Sequence, residues 1–203
     1  MKFYPKYIKP PLDYSFAFIL ILLLSPLLII ITAMVLLFDS LPIIFKQKRI
    51  GQFDREFTIY KFKTMSNVKG PLLTFDNDKR ITKLGKFLRK YKFDELPQLF
   101  NILKGDMSFV GPRPEVPILA RERHQISSIL LNSKPGMTGL SSIRFIDESK
   151  YYKKSLKDPY KIYFEKILPK KIAIDEQYVA SSSFALDLKI VLETFKIILF
   201  TLF

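Results

Sequence analysis

Tyr14-Ser-Phe-Ala-Phe-Ile-Leu-Ile-Leu-Leu-Leu-Ser25-Pro26-Leu-Leu-Ile-Ile-Ile-Thr-Ala-Met-Val-Leu-Leu-Phe38 carries no charged side chain. A helix needs about 20 apolar residues to cross the hydrocarbon core of a bilayer, so the segment is long enough to do so. It is too long for the apolar region of a signal peptide, and Phe38-Asp-Ser-Leu-Pro42 lacks a small-x-small cleavage pattern. Lys2, Lys6 and Lys9 stand before it and Lys46, Lys48 and Arg49 after it, and basic flanks resist translocation on either side. Pro26 has no amide proton for the helix ladder, so it bends or breaks the helix near its middle. Two readings follow: a spanning helix that tolerates its proline, or a helix that breaks at Ser25-Pro26 and returns to the same face.

The remaining chain bounds the chemistry. With 203 residues there is room for one compact domain beside the membrane element. The formal net charge of +14 points to anionic partners: phospholipid, nucleotide or nucleic acid. Cysteine is absent, which excludes disulfides, thiolate nucleophiles and cysteine zinc sites. The single histidine, His124, sits among charges in Arg121-Glu-Arg-His-Gln125 and reads as a surface residue.

Ile43 to Arg49 and Glu56 to Thr64 read as the two strands of a hairpin, turned through Gly51 and Asp54. Alternation puts Lys61 and Lys63 on one face, as phosphate contacts or as an ordinary solvated surface. Asn67 to Asp78 reads as a loop broken at Gly70-Pro71. Helical spacing recurs at Ile81, Leu84, Leu88 and Tyr91, and again at Leu96, Leu99, Phe100 and Leu103 before a stop at Gly105. Glu115 to Ser133 reads as polar and helix-rich, and Phe184 to Phe203 as an amphipathic helix lying in a membrane interface.

Between these elements stands Lys92-Phe-Asp-Glu-Leu-Pro-Gln-Leu-Phe-Asn101, then Lys104-Gly-Asp-Met-Ser-Phe-Val-Gly-Pro-Arg-Pro114. Asp94 precedes an apolar-periodic helix with Pro97 in its first turn, so it reads as an N-cap. That position also suits an ionised carboxylate that ligates a metal or attacks phosphorus. Glu95 beside it could complete a magnesium site, because Mg2+ takes one or two carboxylates plus water and phosphate oxygens. Arg80, Arg89 and Arg113 are candidate phosphate binders or partners of surface ion pairs; Arg113 is fixed on both sides by proline. The glycines form neither a P-loop nor a dinucleotide fingerprint.

Taken in order, Ser25-Pro26, Tyr60-Lys-Phe-Lys-Thr-Met65, Arg80-Ile-Thr82, Gly85, Leu88-Arg89, Asp94-Glu-Leu-Pro-Gln98, Asn101, Gly105-Asp-Met-Ser108, Val110-Gly-Pro-Arg-Pro114 and Pro135-Gly-Met-Thr-Gly139 resemble the small monotopic phosphoglycosyl transferases of the bacterial sugar transferase family. The resemblance covers nearly the whole chain. It implies an α+β fold: an N-terminal re-entrant membrane helix over residues 1–40, then a β-hairpin and a helix-rich catalytic module with interfacial amphipathic helices over 41–203. It further implies a bacterial inner-membrane enzyme, with the module on the cytoplasmic face, that moves a sugar-1-phosphate from a UDP-sugar to polyprenol phosphate of the undecaprenyl type and releases UMP. Asp94 would be the nucleophile of a phosphosugar-enzyme intermediate, and Asp94 and Glu95 would hold Mg2+. Arg89 would meet phosphate near the membrane and Arg113 the nucleotide, with Arg80, Lys61 and Lys63 as further substrate contacts. Anionic membrane lipids are expected partners and nucleic acid is not.

One region departs from the family pattern. Many members follow the Pro135–Gly139 motif with Trp-Ala-Gln-Val and a downstream arginine; this chain has Leu140-Ser-Ser-Ile-Arg144-Phe-Ile-Asp147, which shifts the register of Arg144. Two other classes compete with this reading. One is a membrane-anchored basic module that binds anionic lipid or nucleic acid without chemistry. The other is a glycosyl transferase that leaves the sugar's phosphate behind and holds its metal at Asp76-Asn-Asp78.

Overall fold

The computed structural model describes residues 3–39, 41–68, 78–120, 127–146 and 159–200. Gly70-Pro71, Asp76, Asn77, His124 and Asp147 lie outside the described residues, as does part of the expected helix-rich stretch after Glu115.

A π-helical turn at Tyr4–Ile8 leads into the apolar helix α1, Lys9–Phe38. The expected break at Ser25-Pro26 is absent: the helix continues through Pro26. Pro26 cannot donate to the carbonyl of Leu22, four residues before it. The Ser25 hydroxyl supplies the missing bond, donating to that carbonyl at 2.8 Å. The Ser-Pro pair therefore keeps the backbone satisfied where a lone proline would expose a carbonyl to lipid.

The hairpin forms as the sequence implies. Strands β1, Ile44–Ile50, and β2, Glu56–Phe62, pair antiparallel with Gln47 opposite Ile59. Helix α2, Lys83–Lys90, starts at Thr82, whose hydroxyl accepts from the Gly85 amide at 2.8 Å. A Cβ on Gly85 would lie 2.1 Å from the Thr64 carbonyl oxygen, so glycine lets α2 press against the end of β2.

After α2 the chain reverses through Lys92, at φ 59°, into a 3-10 turn at Phe93–Glu95 and then helix α3, Gln98–Leu103. Asp94 is therefore not an N-cap: it lies inside the 3-10 turn, and Pro97 occupies the position before α3. The expected apolar face is also rotated. Leu99 and Ile102 are buried, whereas Phe100 is exposed, because Gln98 and Asn101 turn inward beside them.

Strands β3, Ser108–Val110, and β4, Gly136–Thr138, pair in parallel, Ser108 opposite Gly136. A Cβ on Gly136 would meet the Gly111 nitrogen at 2.1 Å, so the two glycine motifs cross in backbone contact. A short helix α4, Leu140–Arg144, follows. The C-terminal part holds a helical run, Pro159–Ile162, a π-helical turn Tyr163–Ile167 and α5, Leu168–Ser181, then α6, Phe184–Phe200.

Helix α1 is built into the rest of the chain along one side. Ala17 packs with Phe57, Ile59, Leu99, Ile102 and Met107. Further along, Ile31 and Val35 pack with Phe62 and Leu88. The opposite side of α1 leaves large apolar residues such as Phe18, Leu23, Ile29 and Leu37 exposed. Helix α6 likewise exposes Phe184, Leu188, Leu192, Phe195 and Leu199 at near four-residue spacing. Its Asp187 departs from the amphipathic expectation: it is buried, ion-paired to Lys9 and bonded to the hydroxyls of Tyr4 and Tyr178.

Candidate active site

The site is organised around β2 and the segment Lys92–Asn101. Phe57, Ile59 and Lys61 share one face of β2 by alternation. The first two are buried in the core against α1 and α3, so Lys61 follows them inward instead of standing on a solvated face. Its Nζ donates to Glu95 Oε1 at 2.8 Å, with side-chain exposures of 18% and 11%. Asn101 fixes the register between the two segments: its Oδ1 accepts from the Tyr60 amide at 3.1 Å and its Nδ2 donates to the Thr58 carbonyl at 2.7 Å.

Arg113 approaches the same carboxylate from the other side, its Nη2 4.0 Å from Glu95 Oε1. Arg113 is exposed while Pro112 and Pro114 are buried, so the prolines anchor the turn and the guanidinium projects. Arg49 Nη1 donates to the Pro114 carbonyl at 3.1 Å, and the Gly136 amide donates to the Pro112 carbonyl at 2.9 Å, which holds the turn from both sides. Arg89, on α2, donates from Nε to Thr64 Oγ1 at 2.8 Å and lies close enough to Asp94 to feel its charge.

The adjacent carboxyls have opposite electrostatics. Burial alone would raise Glu95, but Lys61, Arg113 and Lys92 outweigh it and hold the group below the usual carboxylate range. Asp94 is pushed up by burial and then by the Glu95 charge, which Lys61, Lys92 and Arg89 offset only in part. Lys61 itself is lowered by burial, with Glu95 pulling the other way. The difference follows from geometry: Glu95 has a direct cationic partner, whereas Asp94 Oδ1 is buried without a hydrogen-bond partner. Leaving such an acceptor unmet costs about 1–3 kcal/mol, more for a charged group.

Among the described residues Asp94 and Glu95 stand as a pair outside any cluster of three or more acidic or histidine side chains. Two adjacent carboxyls with one unmet buried oxygen fit a hard divalent cation that takes its other ligands from water and phosphate. The surrounding lysines and arginines suit an anionic ligand, so the arrangement can bind phosphate and offer it a carboxylate nucleophile.

The structure thus brings together Asp94, Glu95, Lys61, Arg89 and Arg113. Lys63 is buried and donates to the Leu41 carbonyl at 3.1 Å, and Arg80, whose Nη2 grips Asp78 Oδ2 at 2.6 Å, lies close enough to Arg89 to feel its charge. Asp78 is engaged by that arginine, which removes the described member of the Asp76-Asn-Asp78 alternative from an open metal site. Arg144 is exposed at the end of α4. Sequence reasoning assigned no role to Lys92, Asn101 or Arg49. Asn101 could have been found from its place seven residues after Asp94; the left-handed turn at Lys92 left no such signal.

The family model described as bacterial sugar transferase matches residues 4–201. A UDP-N-acetylgalactosamine-undecaprenyl-phosphate N-acetylgalactosaminephosphotransferase of Aeromonas hydrophila is 46% identical over 112 residues, 54% of this chain and 26% of the relative. The UDP-glucose:undecaprenyl-phosphate glucose-1-phosphate transferase of Escherichia coli is 35% identical over 189 residues, 90% of this chain and 38% of the relative. The uncharacterized sugar transferase EpsL of Bacillus subtilis is 36% identical over 202 residues, 95% of this chain and 87% of the relative. The chain therefore spans well under half the length of the first two and most of the third.

Proposed function

Because this chain belongs to the bacterial sugar transferase family, we propose that it is a phosphoglycosyl transferase that moves a sugar-1-phosphate from a UDP-sugar to polyprenol phosphate and begins a lipid-linked glycan. The observation that carries the reading is the unmet, buried Oδ1 of Asp94 beside a Glu95 fixed by Lys61. The family relationship supports the substrate class, through relatives named for undecaprenyl phosphate and UDP-sugars.

In this mechanism an Asp94 carboxylate oxygen attacks the phosphorus that carries the sugar. The bond from that phosphorus to the bridging oxygen breaks, and UMP leaves with the electron pair. A phosphate oxygen of polyprenol phosphate then attacks the same phosphorus, and the bond to Asp94 breaks to return a free carboxylate. Both substrates are anions, so Arg113 and Arg89 offset their charge, and Lys61 keeps Glu95 ionised. Asp94 and Glu95 would hold Mg2+, which supplies charge neutralisation to the diphosphate when bound. The raised pKa of Asp94 keeps its carboxylate reactive once cations gather around it.

The membrane reading follows from packing. Contacts of α1 with the rest of the chain run from Lys9, paired with Asp187, to Val35 in the core, about 39 Å of helix at 1.5 Å per residue. A helix crossing straight through a bilayer would carry one of those contacts into the hydrocarbon core. An α1 that stays helical through Pro26 but bends there, entering from and turning back toward one face, with the module and the exposed apolar face of α6 at the cytoplasmic surface of the inner membrane, avoids that cost.

The test is transfer by the detergent-solubilised protein with Mg2+, polyprenol phosphate and a panel of UDP-sugars labelled at the phosphate next to the sugar. The label passing into the lipid with release of UMP supports the reading and names the donor. Lipid-linked sugar without the label would indicate transfer of the sugar alone.

A further inference from the structure

Gln98 is 2% exposed, as fully enclosed as the apolar side chains around it. Its Nε2 nevertheless has no hydrogen-bond partner. A buried amide donor without an acceptor is uncommon in folded proteins and calls for an explanation such as a bound ligand.

Its position supplies one. The chain is helical from the 3-10 turn at Phe93–Glu95 through α3, and Gln98 stands four residues after Asp94. Bonds between residues three apart (Lys92 to Glu95, Phe93 to Leu96, Leu96 to Leu99) wind this stretch tightly, so Gln98 follows Asp94 by little more than one turn, about 8 Å along the axis, with both side chains on the buried face. The next polar residue along this face, Asn101, is fully satisfied by the backbone of β2. Gln98 therefore lies between a structural latch and the candidate nucleophile, and the β2 backbone bonds beside it are taken by Asn101. The two unmet atoms are complementary in kind: Asp94 Oδ1 accepts and Gln98 Nε2 donates. A phosphoryl group on Asp94 would use the first as its bond and offer non-bridging oxygens to the second.

We propose that Gln98 is a substrate-contacting residue whose side-chain amide donates to a non-bridging oxygen of the phosphoryl group transferred through Asp94. This rests on the phosphoglycosyl transferase reading. The amide moves no proton. It stabilises charge on the equatorial oxygens while the bond from phosphorus to the UMP oxygen breaks and again while the bond to Asp94 breaks, a neutral donor among cations. A neutral donor also suits a site that must release the phosphosugar in the second step.

The test compares wild type with Gln98→Met, close in volume but without the donor, and Gln98→Glu, nearly isosteric with the amide replaced by a carboxylate. For each, kcat and KM are measured with the donor sugar the wild type accepts, together with the UMP burst in the absence of polyprenol phosphate and Tm. The expected result is a fall of about 100-fold in kcat and in burst rate, as for loss of one oxyanion donor, with the donor KM nearly unchanged. Tm should stay close to wild type in Gln98→Met. If Gln98→Met lowers Tm strongly, Gln98→Glu carries the comparison. Wild-type kcat and burst rate in the folded variants, or losses that track Tm alone, would reduce Gln98 to a packing residue. Absence of UMP release from wild type across the sugar panel would overturn the transferase reading and this inference together; normal wild-type turnover with unaffected variants overturns the inference alone.

Discussion

Lys61 Nζ lies 2.8 Å from Glu95 Oε1, both side chains nearly enclosed, and this pair decides how two adjacent carboxyls share one site. Replacing Lys61 by methionine leaves Glu95 buried without its direct counter-charge, which typically costs about 3–5 kcal/mol. Transfer should fall about 100-fold or more, with partial recovery in Lys61→Arg. The same pair sets a pH signature. A carboxyl held below its ordinary value stabilises the fold above its unfolded pKa, about 4.3, and that contribution disappears as pH falls through the depressed folded value. Wild-type Tm should therefore drop below about pH 5, less steeply in Lys61→Met, which a series of thermal melts would check.

Asp94 has the opposite sign. Its pKa is raised, by burial first and the Glu95 charge second, so ionising it costs stability once pH rises past its unfolded value. Asp94→Asn should abolish transfer while raising Tm by a few degrees at pH 7, and the gain should vanish below about pH 4. An unchanged or lower Tm at neutral pH would show that the carboxylate is not strained.

Asn101 is wholly buried and bonds two backbone groups of β2. Asn101→Ala orphans the Tyr60 amide and the Thr58 carbonyl, a loss of about 2–3 kcal/mol by unmet hydrogen bonds. Chemical denaturation should show this as a lower midpoint with an unchanged slope.

Asp187 ties the two ends of the chain together. Its Oδ2 accepts from Tyr4 at 2.7 Å and pairs with Lys9, and its Oδ1 lies 2.8 Å from the Tyr178 hydroxyl. Asp187→Leu should destabilise by about 3–5 kcal/mol because Lys9 is left buried and charged. Lys9→Met combined with Asp187→Leu should recover part of that loss, a coupling that a double-mutant cycle in Tm would expose.

Much of this was legible in the sequence, where local pattern and tertiary need agreed. The hairpin, α1 and α2 follow from periodicity, and the grouping of Asp94, Glu95, Arg89 and Arg113 in one site was implied by the family resemblance. The misreadings have physical causes. Asp94 looked like an N-cap because Pro97 favours a helix start, but the left-handed Lys92 already turns the chain and begins a 3-10 segment before it. Pro26 predicted a break that the Ser25 hydroxyl bridges. Lys63 and Asp187 carried the pattern of exposed charges; their burial depends on contacts with Leu41 and with the first turn of α1, distant in sequence, which no local window contains.

The central claim is that Asp94 carries the phosphosugar. It is tested most directly by incubating the protein with Mg2+ and its UDP-sugar donor without polyprenol phosphate, then measuring intact mass and mapping peptides. The account predicts a gain of one sugar phosphate on the peptide that holds Asp94, discharged when polyprenol phosphate is added and absent from Asp94→Asn. Unmodified protein that still releases UMP only when both substrates are present would contradict it and indicate direct transfer between them.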